Sequence, residues 1–280
     1  MSDRFKPAAL LAATVLCAHA QWLHYPAPGT PRTRDGQPNL TAAAPRASNG
    51  KPDLSGVWQT EPAAPGENQR LFGRLIDIAV PGDDPSTFPR YAINVLADFK
   101  PADSPLRPEA LEQLRKNPAA RRDPAVVCLP MGLPMADVFN FAPFKMIQTP
   151  GVIAVLYEAD NTYRQIYTDG RKLPDDPEPA WLGYSVGTWD GGTLVVDAAG
   201  FNLRSRLDLM GHLHSDGLRI QERFHRRDFG HMDVSITLDD PIILSRPVTF
   251  QVTEDLIPDS DILETVCNEN EKDRAHLPKP

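Results

Sequence analysis

The sequence lacks a hydrophobic run long enough to cross a membrane. Its longest apolar stretch, residues 8–17, is about half of the roughly 20 residues that a spanning helix needs. This stretch follows Arg4 and Lys6 and precedes Ala18-His19-Ala20, which is the order of parts in a cleavable signal peptide. We therefore predict a signal peptide over residues 1–20 and a periplasmic or secreted protein that does not insert into a membrane.

Cysteine is also scarce, with three residues in the chain. Cys17 lies in the predicted signal peptide, and a lipid anchor there is the weaker alternative, because the usual leucine three positions before the cysteine is missing. Cleavage leaves Cys128 and Cys267, which an oxidising compartment favours joining. We predict this disulfide, and two buried free thiols are the alternative.

Basic residues are outnumbered, since 29 Lys and Arg stand against 37 Asp and Glu and give a net charge of -8. Such an acidic chain disfavours nucleic acid and anionic lipid as partners. The sequence also lacks a phosphate-binding glycine loop, an H-E-x-x-H motif and a C-x-x-C motif. We therefore expect no organic cofactor, and a small molecule as the ligand or substrate.

Proline, by contrast, is abundant, with 29 residues, which argues against a mainly helical protein. It is frequent in residues 21–52, where P-R-T-R-D-G-Q-P-N-L at residues 31–40 returns 14 residues later as P-R-A-S-N-G-K-P-D-L at residues 45–54. Two copies are too few for a solenoid. We predict an extended arm that either lies over the following domain or hangs free.

The remaining residues, 53–280, are predicted to form one mainly β domain. Residues 60–143 are mostly irregular with one helix over residues 108–117, which begins with proline and ends before Pro118. Alternating apolar and polar residues separated by turn signals then predict eight strands, at residues 144–149, 152–158, 163–168, 184–190, 193–198, 218–226, 232–238 and 247–253. A C-terminal tail follows from residue 254.

Short connections between most of these strands favour antiparallel pairing. Eight such strands, or a few more, can close into a calycin-like barrel or stack as a two-sheet sandwich. Gly56-Val57-Trp58 at the start of the domain is similar to the first-strand signature of lipocalins.

Four further segments carry a wider resemblance: residues 143–151 (P-F-K-M-I-Q-T-P-G), residues 183–189 (G-Y-S-V-G-T-W), residues 222–224 (E-R-F) and residues 267–270 (C-N-E-N). In these the chain resembles a family of secreted bacterial proteins of unknown function. The resemblance implies a single exported domain, and it implies no activity or catalytic residue.

Chemistry must therefore be sought in the residues themselves. Residues 183–187 match the G-x-S-x-G nucleophile elbow, but the Asp190-Gly191-Gly192 turn signal that follows predicts a β-hairpin rather than the strand–turn–helix that the elbow requires. A more promising region is residues 208–231, where four histidines lie close to carboxylates. Imidazoles beside carboxylates are the groups that acid–base or metal chemistry requires.

Glu222 is the most informative residue of this region. On the predicted strand it shares the apolar face with Ile220 and Phe224. A carboxylate on such a face either pairs with a cation, for which Arg164 and Arg204 are candidates, or has a raised pKa and a function.

The functional alternative makes the protein an acid–base enzyme: a lyase, isomerase or hydrolase without an organic cofactor. Glu222 would exchange a proton with a small, partly apolar substrate, His214 or His212 would be the second acid–base group, and Asp208 would orient a histidine. Substrate-binding candidates flank the strands: Tyr157, Glu158, Tyr163, Arg164 and Trp189.

Two other hypotheses stay open. The protein could be a non-catalytic ligand-binding or envelope interaction module, in which the histidines form a satisfied polar network. Alternatively, His212, His214 and Glu222 could hold a divalent metal, with His231 as a fourth ligand, in a cupin-like metalloenzyme.

Overall fold

A computed structural model describes residues 26–73, 88–116, 124–140 and 142–267. The predicted signal peptide lies outside these residues. The described part is a closed β-barrel of nine strands in which neighbours in sequence are also neighbours in the sheet. The strands are β1 Gly56–Thr60, β2 Phe144–Thr149, β3 Val152–Tyr157, β4 Tyr163–Tyr167, β5 Tyr184–Asp190, β6 Thr193–Ala199, β7 Arg219–Arg226, β8 His231–Asp239 and β9 Val248–Leu256.

The barrel confirms the predicted mainly β fold, and all eight predicted strands form. The ninth, β1, pairs with both β2 and β9 and closes the ring, so the sandwich alternative is wrong. One expectation about pairing is also wrong, because β4 and β5 run parallel. Residues 168–183 between them form a connection long enough for the chain to cross back before β5 begins.

Side chains alternate between the core and the surface along the strands. In β7 the even-numbered residues are buried and the odd-numbered ones exposed, and β8 buries Met232, Val234, Ile236 and Leu238 on one face. This is the predicted alternation, and it places Glu222 inside the barrel together with Ile220 and Phe224.

Four short α-helices lie among the described residues: α1 Glu67–Phe72, α2 Arg90–Ile93, α3 Pro108–Lys116 and α4 Met135–Val138. Helix α3 confirms the predicted helix, while Asn117 lies outside the described residues. None of the described helices is long and apolar enough to cross a membrane.

One end of the barrel is covered by residues 131–138, which we call the plug. Thr60, the last residue of β1, donates a hydrogen bond to the carbonyl of Asp137 at 3.1 Å. Leu133, Met135 and Val138 of the plug are buried. The plug therefore fills the barrel end at which β1 and β3 finish.

The opposite end is closed by Arg226 and Trp58. The guanidinium of Arg226 lies 4.8 Å from the centre of the fully buried Trp58 ring. It donates hydrogen bonds to the carbonyls of Asp53 and Ser55 at 2.7 and 3.2 Å. These contacts fix the start of β1 against the end of β7.

The two sequence repeats of the arm adopt the same small hairpin. In the first, Arg32 pairs with Pro38 and its side chain donates to the carbonyl of Gly36. In the second, Arg46 pairs with Pro52 and donates to the carbonyl of Gly50. Each glycine has a positive φ, which a glycine adopts without steric cost.

The described part of the arm lies over the barrel. The amide of Gly230 donates to the carbonyl of Leu40 at 2.7 Å, and the amide of Phe229 donates to the carbonyl of Ala42 at 2.8 Å. Arg32 also forms a salt bridge with Asp259. Of the two alternatives for the arm, the docked one is therefore the one observed.

Cys128 and Cys267 form a disulfide, as predicted, with their Cα atoms 5.6 Å apart. The bond joins the segment that leads into the plug to the segment that follows β9.

Candidate functional site

The centre of the barrel contains a buried ion pair between Glu222 of β7 and Arg164 of β4. The two guanidinium nitrogens Nη1 and Nη2 donate to the two carboxylate oxygens, the first at 3.2 Å. Both side chains are 1% exposed. The sequence left open whether Glu222 is paired or functional, and the structure pairs it with Arg164, one of the two candidate partners.

A third charged residue joins the pair from the plug. Asp137 accepts a hydrogen bond from Arg164 Nη1 at 2.9 Å and another from the hydroxyl of Tyr157 at 2.5 Å. The remaining donor of Arg164, Nε, bonds to Ser185 Oγ at 2.9 Å. Two carboxyl groups, one guanidinium and two hydroxyls thus form a single buried network.

Burial and neighbouring charges separate the pKa values of the two carboxyl groups. Burial and repulsion from Glu222 raise the pKa of Asp137 well above its usual value. Burial opposes the charge of Glu222 as well, but the charge of Arg164 and its hydrogen bonds leave the pKa of Glu222 lowered. Glu222 therefore carries the negative charge opposite Arg164, and Asp137 is the group that retains a proton.

A further carboxyl group, Glu254 of β9, lies in the same end of the barrel. Its Oε1 accepts a hydrogen bond from the hydroxyl of Thr60 at 3.0 Å, while its Oε2 has no hydrogen-bond partner among the described residues. Burial is the main reason why the pKa of Glu254 is raised well above its usual value. A neutral Glu254 avoids leaving a buried charge unpaired.

The histidines of the predicted site have their own partners outside this network. His212 Nδ1 bonds to Asp208 Oδ2 at 2.6 Å, and Asp208 also accepts from the amide of Val95. The predicted contact between Asp208 and a histidine is therefore present. His212 and its carboxylate form a pair that ties the loop before β7 to residues next to α2.

His214 is buried and forms a second pair, with Ser205. Its Nδ1 donates to the carbonyl of Ser215 at 2.9 Å, so its Nε2 accepts from Ser205 Oγ at 2.8 Å. Burial lowers the pKa of His214, although the hydrogen bond to Ser215 opposes this effect. The hydrogen bonds of Glu222 go instead to Arg164, and neither histidine bonds to it.

The structure joins Tyr157 and Arg164 in the buried network, and the other three predicted binding residues lie outside this network. Glu158 accepts a hydrogen bond from the amide of Leu263 at 2.7 Å and anchors the C-terminal segment. Tyr163 is 67% exposed on the outside of β4, and Trp189 packs against the core from β5. Ser185, from the G-x-S-x-G sequence, is a buried strand residue and not an exposed nucleophile.

The possible metal site at His212, His214 and Glu222, with His231 as a fourth ligand, gains no support. Within the described ranges, no group of three or more His, Cys, Asp and Glu side chains is placed to hold a metal ion. His231 bonds to Asp228 at 2.7 Å.

A groove opens on the outside of the barrel where β4 and β5 diverge. The two parallel strands share only two register pairs, Ile166 with Ser185 and Tyr167 with Val186. The resulting groove, here called the seam groove, has a volume of about 380 Å³. Its walls carry Tyr163, Tyr167, Trp181 and Tyr184, and Arg164 lies at its floor.

Aromatic contacts hold the walls of the seam groove in place. Tyr167 and Tyr184 stack with ring centres 5.2 Å apart, and the guanidinium of Arg171 lies 3.8 Å from the centre of the Tyr167 ring. Arg171 also bonds to the hydroxyl of Tyr184 at 3.0 Å. The groove is thus formed before any ligand arrives.

Sequence reasoning missed Asp137 and Glu254. Asp137 lies in the irregular region, where no periodicity indicates which side chains are buried. Glu254 could have been found, because it continues the buried alternation of Val252 and Leu256, but the predicted strand ended at residue 253, three residues before the end of β9.

Comparison with known proteins adds no relative from which a function could be transferred. A scan of the chain against protein-family models gives no match, and a search of curated proteins finds none that is similar.

Proposed function

We propose that the protein is an exported, non-catalytic binding protein that holds a small, planar, partly apolar molecule in the seam groove. The observation that carries this proposal is the groove itself, a preformed opening lined by three tyrosines and a tryptophan. Its volume falls within the range of about 300 to 1,000 Å³ that is usual for small-molecule sites. Tyrosine and tryptophan stack on planar rings and offer hydroxyl or N–H groups to oxygenated substituents.

Two of the residues that line the groove, Tyr163 and Arg164, were predicted from the sequence as ligand contacts. Tyr163 presents most of its ring to solvent at the rim, and Arg164 contributes a charge that is already neutralised by Glu222. A neutralised floor beneath aromatic walls favours a ligand without a strong net charge.

An acid–base enzyme centred on Glu222 has less support. Both oxygens of Glu222 bond to Arg164, and its pKa is lowered rather than raised. The histidines proposed as its partners bond to Asp208 and Ser205 instead. A satisfied polar network accounts for all of these contacts without turnover.

The exported location rests on two observations. Residues 1–20 have the order of a signal peptide, and the disulfide between Cys128 and Cys267 is of a kind that persists in oxidising compartments. The family of secreted bacterial proteins that the chain resembles has the same location.

The binding proposal is tested by titrating the protein with 4-nitrophenol as a planar probe and with cyclohexanol as a non-planar control. We expect saturable changes in amide chemical shifts at residues 161–165 and 180–184 with the planar probe alone. Tyr163→Ala should weaken binding about 2- to 10-fold, because one aromatic contact of about 0.5 to 1.5 kcal/mol is lost.

Ile242→Ala is the matched control, since Ile242 is 59% exposed and does not line the groove. Equal affinity in both variants, or shifts confined to other parts of the barrel, would contradict the proposal.

A further inference from the structure

The plug contributes a carboxyl group to a network that the barrel already balances without it. Arg164, Glu222 and Ser185 all belong to barrel strands; the charges of Arg164 and Glu222 balance, and three hydrogen bonds join the three side chains. Asp137 comes from α4, a helix of four residues outside the sheet. It places a second carboxyl group beside Glu222, where burial and repulsion raise its pKa. Of the three ionisable groups, Asp137 is therefore the one that the strands do not supply.

The contacts of Asp137 are those that a bound carboxylic acid would make. One oxygen accepts from the Tyr157 hydroxyl and the other from Arg164 Nη1. A tyrosine hydroxyl and a guanidinium that converge on two carboxyl oxygens form a two-point recognition site for that group. Leu133, Met135 and Val138 of the same short segment are buried as well.

The plug is not packed perfectly against the barrel. A cavity of about 10 Å³, roughly the size of one water molecule, lies between Gly132 and Ala136 of the plug and Tyr157 and Thr162 of the barrel. Hydrogen bonds that join this segment to the barrel include those from Thr60 to the carbonyl of Asp137, from Gln59 to the carbonyl of Asn140, and from Tyr157 and Arg164 to the Asp137 carboxyl group. The sheet itself is closed without the plug.

We infer that Tyr157 and Arg164 form a recognition site for a small carboxylic acid inside the barrel, and that Asp137 of the plug occupies it in the closed protein. A ligand with one carboxyl group and an apolar body replaces Asp137 and the apolar plug side chains together. This site lies inside the barrel and the seam groove lies outside it, so that Arg164 is the residue they share, and the inference does not depend on the function proposed for the groove.

The first experiment vacates the site with Asp137→Ala and offers propionic acid at about pH 5, where its neutral and ionised forms are both present, with 1-propanol as the control that lacks a carboxyl group. Propionic acid should raise the thermal unfolding midpoint of the variant saturably, because it restores the missing carboxyl group between Tyr157 and Arg164. The alcohol should leave the midpoint unchanged. Equal effects of the two compounds, or no effect of propionic acid, would overturn the inference.

The second experiment uses the wild-type chain and octanoate, whose apolar body can replace the plug side chains. Hydrogen exchange in residues 131–138 should become at least several-fold faster at saturating octanoate, while β3 and β4 stay protected. Unchanged exchange in the plug would overturn the inference on its own, even if Asp137→Ala failed to fold. Tyr163→Ala, which alters the seam groove, should respond to octanoate as wild type does. The test of this inference is therefore independent of the test of the proposed function.

Discussion

Arg164 is the residue on which the polar centre of the barrel depends. It is 2% exposed, and a guanidinium at that depth needs full compensation because it does not lose its charge. The sequence indicated this arrangement in part. The alternation of β7 put Glu222 on the apolar face and made Arg164 a candidate partner, whereas the contribution of Asp137 could not be foreseen from an irregular segment.

Glu222→Gln should lower the free energy of unfolding by about 1 to 3 kcal/mol, because Arg164 loses its charged partner and Asp137, no longer repelled by Glu222, replaces it only in part. Chemical denaturation measures the difference. Asp190→Asn is the matched control. It breaks an exposed ion pair with Arg223, which follows Glu222 in β7, and it should cost less than about 1 kcal/mol. Similar losses in the two variants would contradict the central role of the pair.

Glu254 gives the protein a dependence of stability on pH. Its pKa is raised in the folded state. Its contribution to the free energy of unfolding is therefore fully present below the unfolded pKa of about 4.3 and is lost as the pH rises through the folded pKa. Glu254→Gln keeps an acceptor for Thr60 and does not ionise. The variant should be about 1 to 3 kcal/mol more stable than wild type at pH 7, with no such gain at pH 3.5.

Urea denaturation of both proteins between these pH values measures the effect. If the variant is equally stable or less stable at pH 7, the buried carboxyl group of Glu254 does not lower the stability of the wild type at that pH.

At the scale of elements, the sequence predicted what depends on local pattern. Eight strands carry alternation between turn signals, and all eight form. Strand β1 was missed because its five residues are surrounded by irregular chain, so that only Gly56-Val57-Trp58 marked it. The parallel pairing of β4 with β5 depends on the path of a long connection, which residue pattern does not encode. The docking of the arm is likewise a tertiary contact, between Leu40 and Gly230.

Gly230→Ala should detach the first arm hairpin from the barrel. A Cβ atom at this position would lie 2.5 Å from the Cβ of Leu40 and 3.0 Å from its backbone. The hydrogen bond from the amide of Gly230 to the carbonyl of Leu40 could therefore not be kept. We expect a cost of about 1 to 3 kcal/mol and faster proteolysis within residues 31–54.

Gly192→Ala is the control, because a Cβ there has nothing within 4 Å. If proteolysis of the arm is equally slow in both variants, the contact between Gly230 and Leu40 is not what keeps the arm on the barrel.

At the scale of the whole molecule, the disulfide joins two parts that the sheet does not connect. Cys128 precedes the plug and Cys267 follows the last strand, 139 residues later. The bond therefore closes a loop that contains almost the entire barrel. It limits how far the plug segment and the C-terminal segment can separate when the chain unfolds.

Replacing both cysteines with serine should lower the free energy of unfolding by about 4 to 5 kcal/mol, according to the loop-entropy relation. Adding a reductant should bring wild type to the same stability and leave the double variant unchanged. Thermal and urea unfolding with and without reductant provide the measurement. A reductant effect on the double variant, or none on wild type, would contradict this prediction.

The number of strands has a consequence for the seam groove. In a closed ring, strand direction must return to its starting value after one circuit, so the number of antiparallel contacts has to be even. Nine strands make nine contacts, and at least one of them must therefore be parallel. Eight strands would have closed without such a contact. The opening between β4 and β5 is thus tied to the odd strand count. Because β1 is antiparallel to both β2 and β9, these two strands run in the same direction, and a barrel that lost β1 and closed on them would gain a second parallel contact.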